Sequence, residues 1–260
     1  MNAPNTEQIA ARWDFSSHTY DCWGRHPAYQ RAWLASLADL VGHPRRDGSP
    51  VLRIADIGTG TGQVALPLAQ LGHDVTGYDI AHAMLGRARA KAAQTGLPPP
   101  SPPRTPLDDA SVDLVIGRMV LWTLYDPPLA LREWRRVLAP GGRIIAIDGL
   151  WYTTPANLSR PQQARHVLQN KLWACRSRLR RRRGPYFWAG DYHSDTVRSP
   201  GMDWRSAEDA QAHFTQAGLE GSQLRWLQEL CEVERRTNPP WKRLLYYPQP
   251  FFVLTWQDEG

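Results

Sequence analysis

The residues best suited to chemistry lie in one short stretch, Ala55-Asp56-Ile57-Gly58-Thr59-Gly60-Thr61-Gly62. An apolar run from Val51 feeds an acidic residue and then three alternate glycines, and Gln63 to Leu71 continues as a helical pattern. Glycine lets the backbone turn sharply and approach a ligand more closely than a Cβ permits. The helix that follows offers free N–H groups and the positive end of its dipole. A dinucleotide site uses the same devices with the spacing Gly-x-Gly-x-x-Gly, whereas the spacing here is Gly58-x-Gly60-x-Gly62. Groups able to move a proton are more scattered. They are Tyr20, His26, Tyr152, Asp191, Tyr192 and His193, and none sits in a motif that dictates its role.

The elements around this stretch alternate. Apolar and aromatic residues of 12–40 recur at helical spacing and predict one or two amphipathic helices, closed by Gly42 and a turn over 44–48. Residues 51–57 read as a strand, 74–79 as a second, and the alanine-rich 81–94 as a helix. Six prolines in the nine positions 98–106 exclude a helix or a central strand there. A strand over 112–117, a helix over 129–138 and a strand over 143–148 complete the alternation, which predicts a parallel, doubly wound α/β sheet. Further on, 161–183 reads as a long helix and 184–203 as an aromatic-rich irregular segment. The run 206–217 reads as a helix opened by a Ser206/Asp209 capping box, and 223–232 with 251–256 as a closing antiparallel pair of strands.

The glycine stretch resembles motif I, Asp-x-Gly-x-Gly-x-Gly, of the class I S-adenosylmethionine-dependent methyltransferases. Asp79, 17 positions after Gly62, resembles that family's acid that hydrogen-bonds both ribose hydroxyls, a task suited to two acceptor oxygens. Asp113-Leu114-Val115-Ile116 resembles the fourth strand, and Leu131 to Gly142 the helix and turn leading to the fifth. The resemblance implies a seven-stranded, mostly parallel sheet and S-adenosylmethionine as cofactor. It implies binding through Asp56, Gly58, Thr59, Gly60, Gly62, Asp79 and Arg118, with Ile80 and Met84 on the adenine. One departure stands out, because Ser101 falls in the proline stretch where the family's third strand carries an adenine-binding acid.

Trp13-Asp14 with Tyr20-Asp21, and Leu121-Trp122-Thr123-Leu124 after the fourth strand, resemble the small-molecule members of this family with an N-terminal lid helix. In those, a tyrosine near Tyr20 reaches the methionine end of the cofactor, where an aromatic face attracts the sulfonium. Asn238-Pro239-Pro240-Trp241 is similar to the loop of enzymes that methylate adenine or glutamine nitrogens. That loop follows the fourth strand, a place held here by Gly117-Arg118-Met119-Val120, so the match reads as a turn.

The net charge of +6 owes much to Arg176, Arg178 and Arg180 to Arg183, directly before Gly184-Pro185. Four consecutive arginines cover every face of a helix, and cations suit a helix C-terminus, so the cluster argues against a nucleic-acid stripe. The three cysteines are scattered without metal or redox spacing, and no apolar run spans a bilayer, which takes about 20 residues. A cytoplasmic enzyme with reduced thiols and no metal is expected. The expected organisation is a lid at 1–48, a cofactor-binding core at 49–150, an aromatic substrate cap at 151–203, and a closing helix and strands at 204–260. The expected activity is methylation of a small secondary-metabolite or amino-acid-like acceptor, with Tyr20, Tyr152 and His193 as candidate catalytic residues. Two alternatives remain: closure of the cofactor's amino-carboxypropyl arm to azetidine carboxylate, and RNA methylation using the arginine cluster.

Overall fold

Two helices lead the chain, α1 (Thr6–Tyr20) and α2 (Pro27–Val41), followed by a single turn of helix, α3 (Pro44–Asp47). The computed structural model describes residues 6–21, 26–96, 107–149, 204, 206–237 and 251–259. Strand β1 (Arg53–Ile57) then opens an alternation with α4 (Ala65–Leu71), β2 (Asp74–Tyr78), α5 (His82–Thr95) and β3 (Val112–Arg118). It continues with α6 (Pro127–Val137), β4 (Leu138–Gly149), α7 (Ala207–Gln216), β5 (Gln223–Trp226), α8 (Gln228–Thr237) and β6 (Phe251–Gln257). The sheet order is β2-β1-β3-β4-β6-β5. The first four strands run parallel, and β6 lies antiparallel between β4 and β5.

The central strands are buried on both faces, so their side chains alternate between two apolar cores. Ala55, Val115, Ile144, Ala146, Phe252 and Leu254 point to one face, covered by Leu131 and Trp134 of α6 and Phe214 of α7. Ile54, Leu114, Ile116, Ile145, Ile147 and Val253 point to the other, covered by Trp33 and Leu37 of α2, Leu68 of α4 and Leu230 of α8. Asp126 caps α6 by accepting from the Leu129 amide at 2.9 Å, and the Ser206/Asp209 capping box opens α7. The doubly wound mixed sheet is thus as the sequence implies.

Two details differ from expectation. Residues 44–47 form a helical turn, with Gly48 in the left-handed region at φ 70°. The run 223–232 is not one strand: β5 ends at Trp226, and Gln228 onward belongs to α8, whose Leu230 is fully buried. Alternation at Leu224 and Trp226 gives way there to the helical spacing of Leu227, Leu230 and Cys231. Six strands pair among the described residues, and β2 has no partner on its outer side among them. The expected seventh strand, the proline stretch to Pro106, the arginine cluster and Asn238 to Trp241 lie outside the described residues. No helix among the described residues is long and apolar enough to cross a membrane.

One histidine stitches the amino end of the sheet. His73 Nδ1 accepts from the Leu52 amide at 3.3 Å, and its Nε2 donates to the Gly42 carbonyl at 3.2 Å, a pattern met by the neutral ring. Burial lowers its pKa further than the Gly42 carbonyl raises it. A depressed histidine contributes stability that is present above its unfolded value of about 6.5 and is lost as the pH falls below it. Tm should therefore drop between about pH 7 and 5 by less in His73→Gln than in the parent chain, compared by calorimetry across that window. Equal slopes would show that His73 does not titrate in that window.

Candidate functional site

The carboxyl ends of β1, β2, β3 and β4 form the edge to which the glycine stretch belongs, the place where open α/β sheets bind ligands. Gly58, Gly60 and Gly62 all have positive φ, at 68°, 56° and 81°. A side chain is excluded at Gly58, where a Cβ would come within 2.8 Å of Val120 Cγ2. At Gly60 a Cβ would find nothing nearer than Tyr20 Cε1 at 3.8 Å, so this is the open face of the loop.

Asp56 fixes the turn from inside. Fully buried, it accepts at Oδ2 from Thr59 Oγ1 at 2.6 Å and from the Ala65 amide, at the start of α4, at 3.0 Å. Its Oδ1 is buried without a hydrogen-bond partner among the described residues. Thr59 in turn donates its amide to Tyr78 O at 2.9 Å, which draws the loop onto β2. That approach requires Gly77, where a Cβ would stand 2.7 Å from Thr59 Oγ1.

Asp79 follows β2 directly. Its Oδ2 accepts from the Gly60 amide and its Oδ1 from the Ala81 amide, both at 2.8 Å. Burial raises its pKa against the lowering effect of those amides, and Asp14 adds to the rise. Beside it Ile80 is 42% exposed, whereas Met84 on α5 is only 2% exposed and is covered by protein in this state.

Tyr20, at the end of α1, meets Trp13 edge to face with ring centroids 6.1 Å apart. Burial raises its phenol, Arg118 opposes the rise, and Asp79, Asp21 and Asp148 add to it. A phenol held neutral suits contact with a ligand better than proton abstraction.

Arg118 ends β3. Its Nη1 donates to Gln63 Oε1 at 2.6 Å, and its guanidinium lies over the rings of Trp33 (5.0 Å) and Phe251 (5.5 Å). Trp33 Nε1 also donates to the Gln63 carbonyl at 2.7 Å. Arg118 therefore braces the residue after Gly62 against α2 and β6, a role its place in the sequence did not suggest. The next residue, Met119, has a left-handed φ of 56°, a strained conformation that functional edges tend to hold. His26 is accounted for differently, since its Nδ1 accepts from the Ala28 amide at 3.2 Å and caps α2. Tyr152, Asp191, Tyr192 and His193 lie outside the described residues.

Two acids were given no role of their own from the sequence. Asp148, fully buried at the end of β4, accepts from the amides of Trp122 at 3.2 Å and Gly149 at 2.9 Å. Asp21 reaches the glycine loop and accepts from Thr61 Oγ1 at 2.6 Å. The signal for Asp148 was available, because it ends a strand as Asp56 and Asp79 nearly do.

With this geometry in view, residues 55–146 match the family described as a methyltransferase domain. Residues 55–146 carry a methyltransferase domain. A ubiquinone/menaquinone biosynthesis C-methyltransferase of Rubrivivax gelatinosus is 32% identical over 158 residues, 59% of this chain and 56% of that protein. The structure of the cyclase SpnF shares the fold with a TM-score of 0.58 and 16% identity, over 99% of this chain and 98% of that one. Haemonchus contortus phosphoethanolamine N-methyltransferase 2, solved with phosphomonomethylethanolamine and S-adenosylhomocysteine, shares it at 0.56 and 14%, over 96% and 61%. The chain spans between 37% and 57% of the length of the curated relatives it matches. S-adenosylmethionine is the cofactor of this methyltransferase domain.

The buried acid of the loop gives a measurable signature. Burial pushes Asp56 up to about 7, against the opposing hydrogen bonds from Thr59 and Ala65. A carboxyl raised in this way contributes stability that is fully present below its unfolded value of about 3.9 and is lost as the pH rises through the folded value. Asp56→Asn should remove that loss, so the variant's Tm relative to the parent should rise between about pH 4 and 8. A difference that stays flat would show that Asp56 is already ionised.

Proposed function

We propose that the chain transfers the sulfonium methyl of S-adenosylmethionine to a small-molecule acceptor by in-line displacement, tailoring a secondary metabolite or amino-acid-like compound in the cytoplasm. The observation that carries this reading is Asp79, whose two oxygens are held by the Gly60 and Ala81 amides beside the open face of the glycine loop. A carboxylate fixed there keeps lone pairs for the vicinal hydroxyls of a ribose. Gly58, Gly60 and Gly62, set by Asp56 and Thr59, would receive the methionine portion, and exposed Ile80, backed by Met84, would cover the adenine. The ring of Tyr20 would face the sulfonium. Arg118 would act through Gln63, by holding the helix that follows the loop.

The cofactor supplies an electrophilic methyl. The chain's task is then to align the acceptor and exclude water, with a proton acceptor needed only if the nucleophile is protonated at working pH. Tyr152 and His193 are the proposed candidates for that acceptor, with Tyr20 as an orienting phenol. Likeness to a cyclase extends over nearly the whole chain. A [4+2] cyclisation breaks no sulfonium bond, so that likeness concerns the fold, and closure of the cofactor's own amino-carboxypropyl arm is the second reading.

Product analysis separates the two. Purified protein incubated with S-adenosylmethionine should give S-adenosylhomocysteine only when candidate acceptors are added. Methylthioadenosine formed without an acceptor would replace methyl transfer by cyclisation. For the site itself, Asp79→Ala should weaken S-adenosylmethionine binding by about a hundredfold, the scale of two hydrogen bonds to a charged group. Unchanged affinity by calorimetry would remove Asp79 from the ribose.

A further inference from the structure

The two N-terminal helices are held in unlike ways. Helix α2 buries Tyr29, Trp33, Leu37 and Val41 against the sheet. Among the described side chains of α1, only Ser16 and Ser17 are buried; Ile9 and Trp13 are partly covered, and Phe15 is 46% exposed. Burying an aliphatic or aromatic side chain contributes about 1.5–3 kcal/mol, and α1 completes no such burial.

Polar bonds take its place at two points. Asp14 Oδ1 accepts from the Ala83 amide, in the first turn of α5, at 2.6 Å. One residue past α1, Asp21 Oδ1 accepts from Thr61 Oγ1 at 2.6 Å and from Lys91 Nζ, on α5, at 2.8 Å. Lys91 closes the ring by donating to the Thr61 carbonyl at 2.9 Å. Thr61 is fully buried and stands between Gly60 and Gly62, so the end of α1 is tied to the loop itself. Although burial pushes the Asp21 carboxyl up, hydrogen bonds from Lys91 and Thr61 bring it below the ordinary range. Tyr20 adjoins Asp21 and faces the open side of Gly60.

We infer that Asp21, Lys91 and Thr61 form a latch that holds α1 over the cofactor loop, and that cofactor leaves or enters when this latch opens. Lys91 and Asp21 are positioning residues, since they act by keeping Tyr20 in place. The inference rests on the cofactor site proposed above. Helix α2 stays put during the opening, because its Trp33 is buried in the core as well as bonded to Gln63. The Lys91–Asp21 pair retains 36% and 24% side-chain exposure, so dissolved salt reaches it and weakens it.

The test is the dissociation rate of S-adenosylhomocysteine, followed by competitive displacement, in the parent chain, Asp21→Asn, Lys91→Met and the double variant. Each single change should speed dissociation about tenfold, and the double variant should be little faster than either, as expected for partners in one network. Added salt should speed release from the parent and not from Lys91→Met. Hydrogen exchange without ligand gives a second readout, in which Lys91→Met should raise exchange across 6–20 and leave 27–41 unchanged. Unaltered rates with unaltered exchange, or effects of the two substitutions that simply add, would overturn the latch. A parent chain that binds neither S-adenosylmethionine nor S-adenosylhomocysteine would overturn the cofactor site, and the latch with it.

Discussion

A carboxylate taken out of water must be repaid in hydrogen bonds, and the active edge of this sheet is arranged around one such debt. Asp56, next to last in β1, lies inside the core and draws the Thr59 hydroxyl and the Ala65 amide to a single oxygen. Three residues of loop and the first turn of α4 are thereby fixed relative to the strand. Thr59 then falls against Gly77 and bonds the carbonyl of Tyr78, which sets the distance between loop and β2. Asp79, next along, can reach the Gly60 amide only because that distance is short. Without Asp56, Thr59 and the start of α4 would lose the shared oxygen that ties them to β1.

From this turn, constraint spreads in two directions by different means. Toward α2 it runs through Gln63, where Trp33 and Arg118 meet, and ends in aromatic rings from α2 and β6. A planar guanidinium that lies over two rings and also bonds an amide oxygen is poorly replaced by an ammonium. Toward α1 it runs through Thr61 and ends in a partly exposed ion pair. One wall of the cleft is thus set by packing, the other by electrostatics that solvent can reach.

Much of the core was legible in the sequence because its signals are local. Strand, acid and glycines are contiguous at 51–62, and Asp79 lies one βα unit further on. What was not legible depends on distant partners. Arg118 meets Gln63 across 55 residues and Asp21 meets Lys91 across 70, and no spacing rule connects such pairs. Placing Arg118 at the cofactor was a reading by position, and its bond to Gln63 and its place over two rings are contacts that no position could announce. The run 223–232 misled for a different reason, since its apolar residues change period within one stretch and a single average reads as strand. Met84 shows a third limit. Periodicity identifies an inward-facing residue but not whether protein or ligand covers it.

The place of β6 in the sheet also bears on how the chain is made. Strand β4 pairs with β3 on one side and with β6 on the other, and over 100 residues separate Gly149 from the far end of β6. During synthesis the first four strands can assemble while Ile144, Ile145, Ala146 and Ile147 still present an open ladder of amides and carbonyls. Apolar strand edges of this kind invite pairing with other chains, and contacts closed late in sequence form slowly. The nascent protein therefore passes through a stage in which β4 is paired on one side only, until residues 251–257 arrive to cover it.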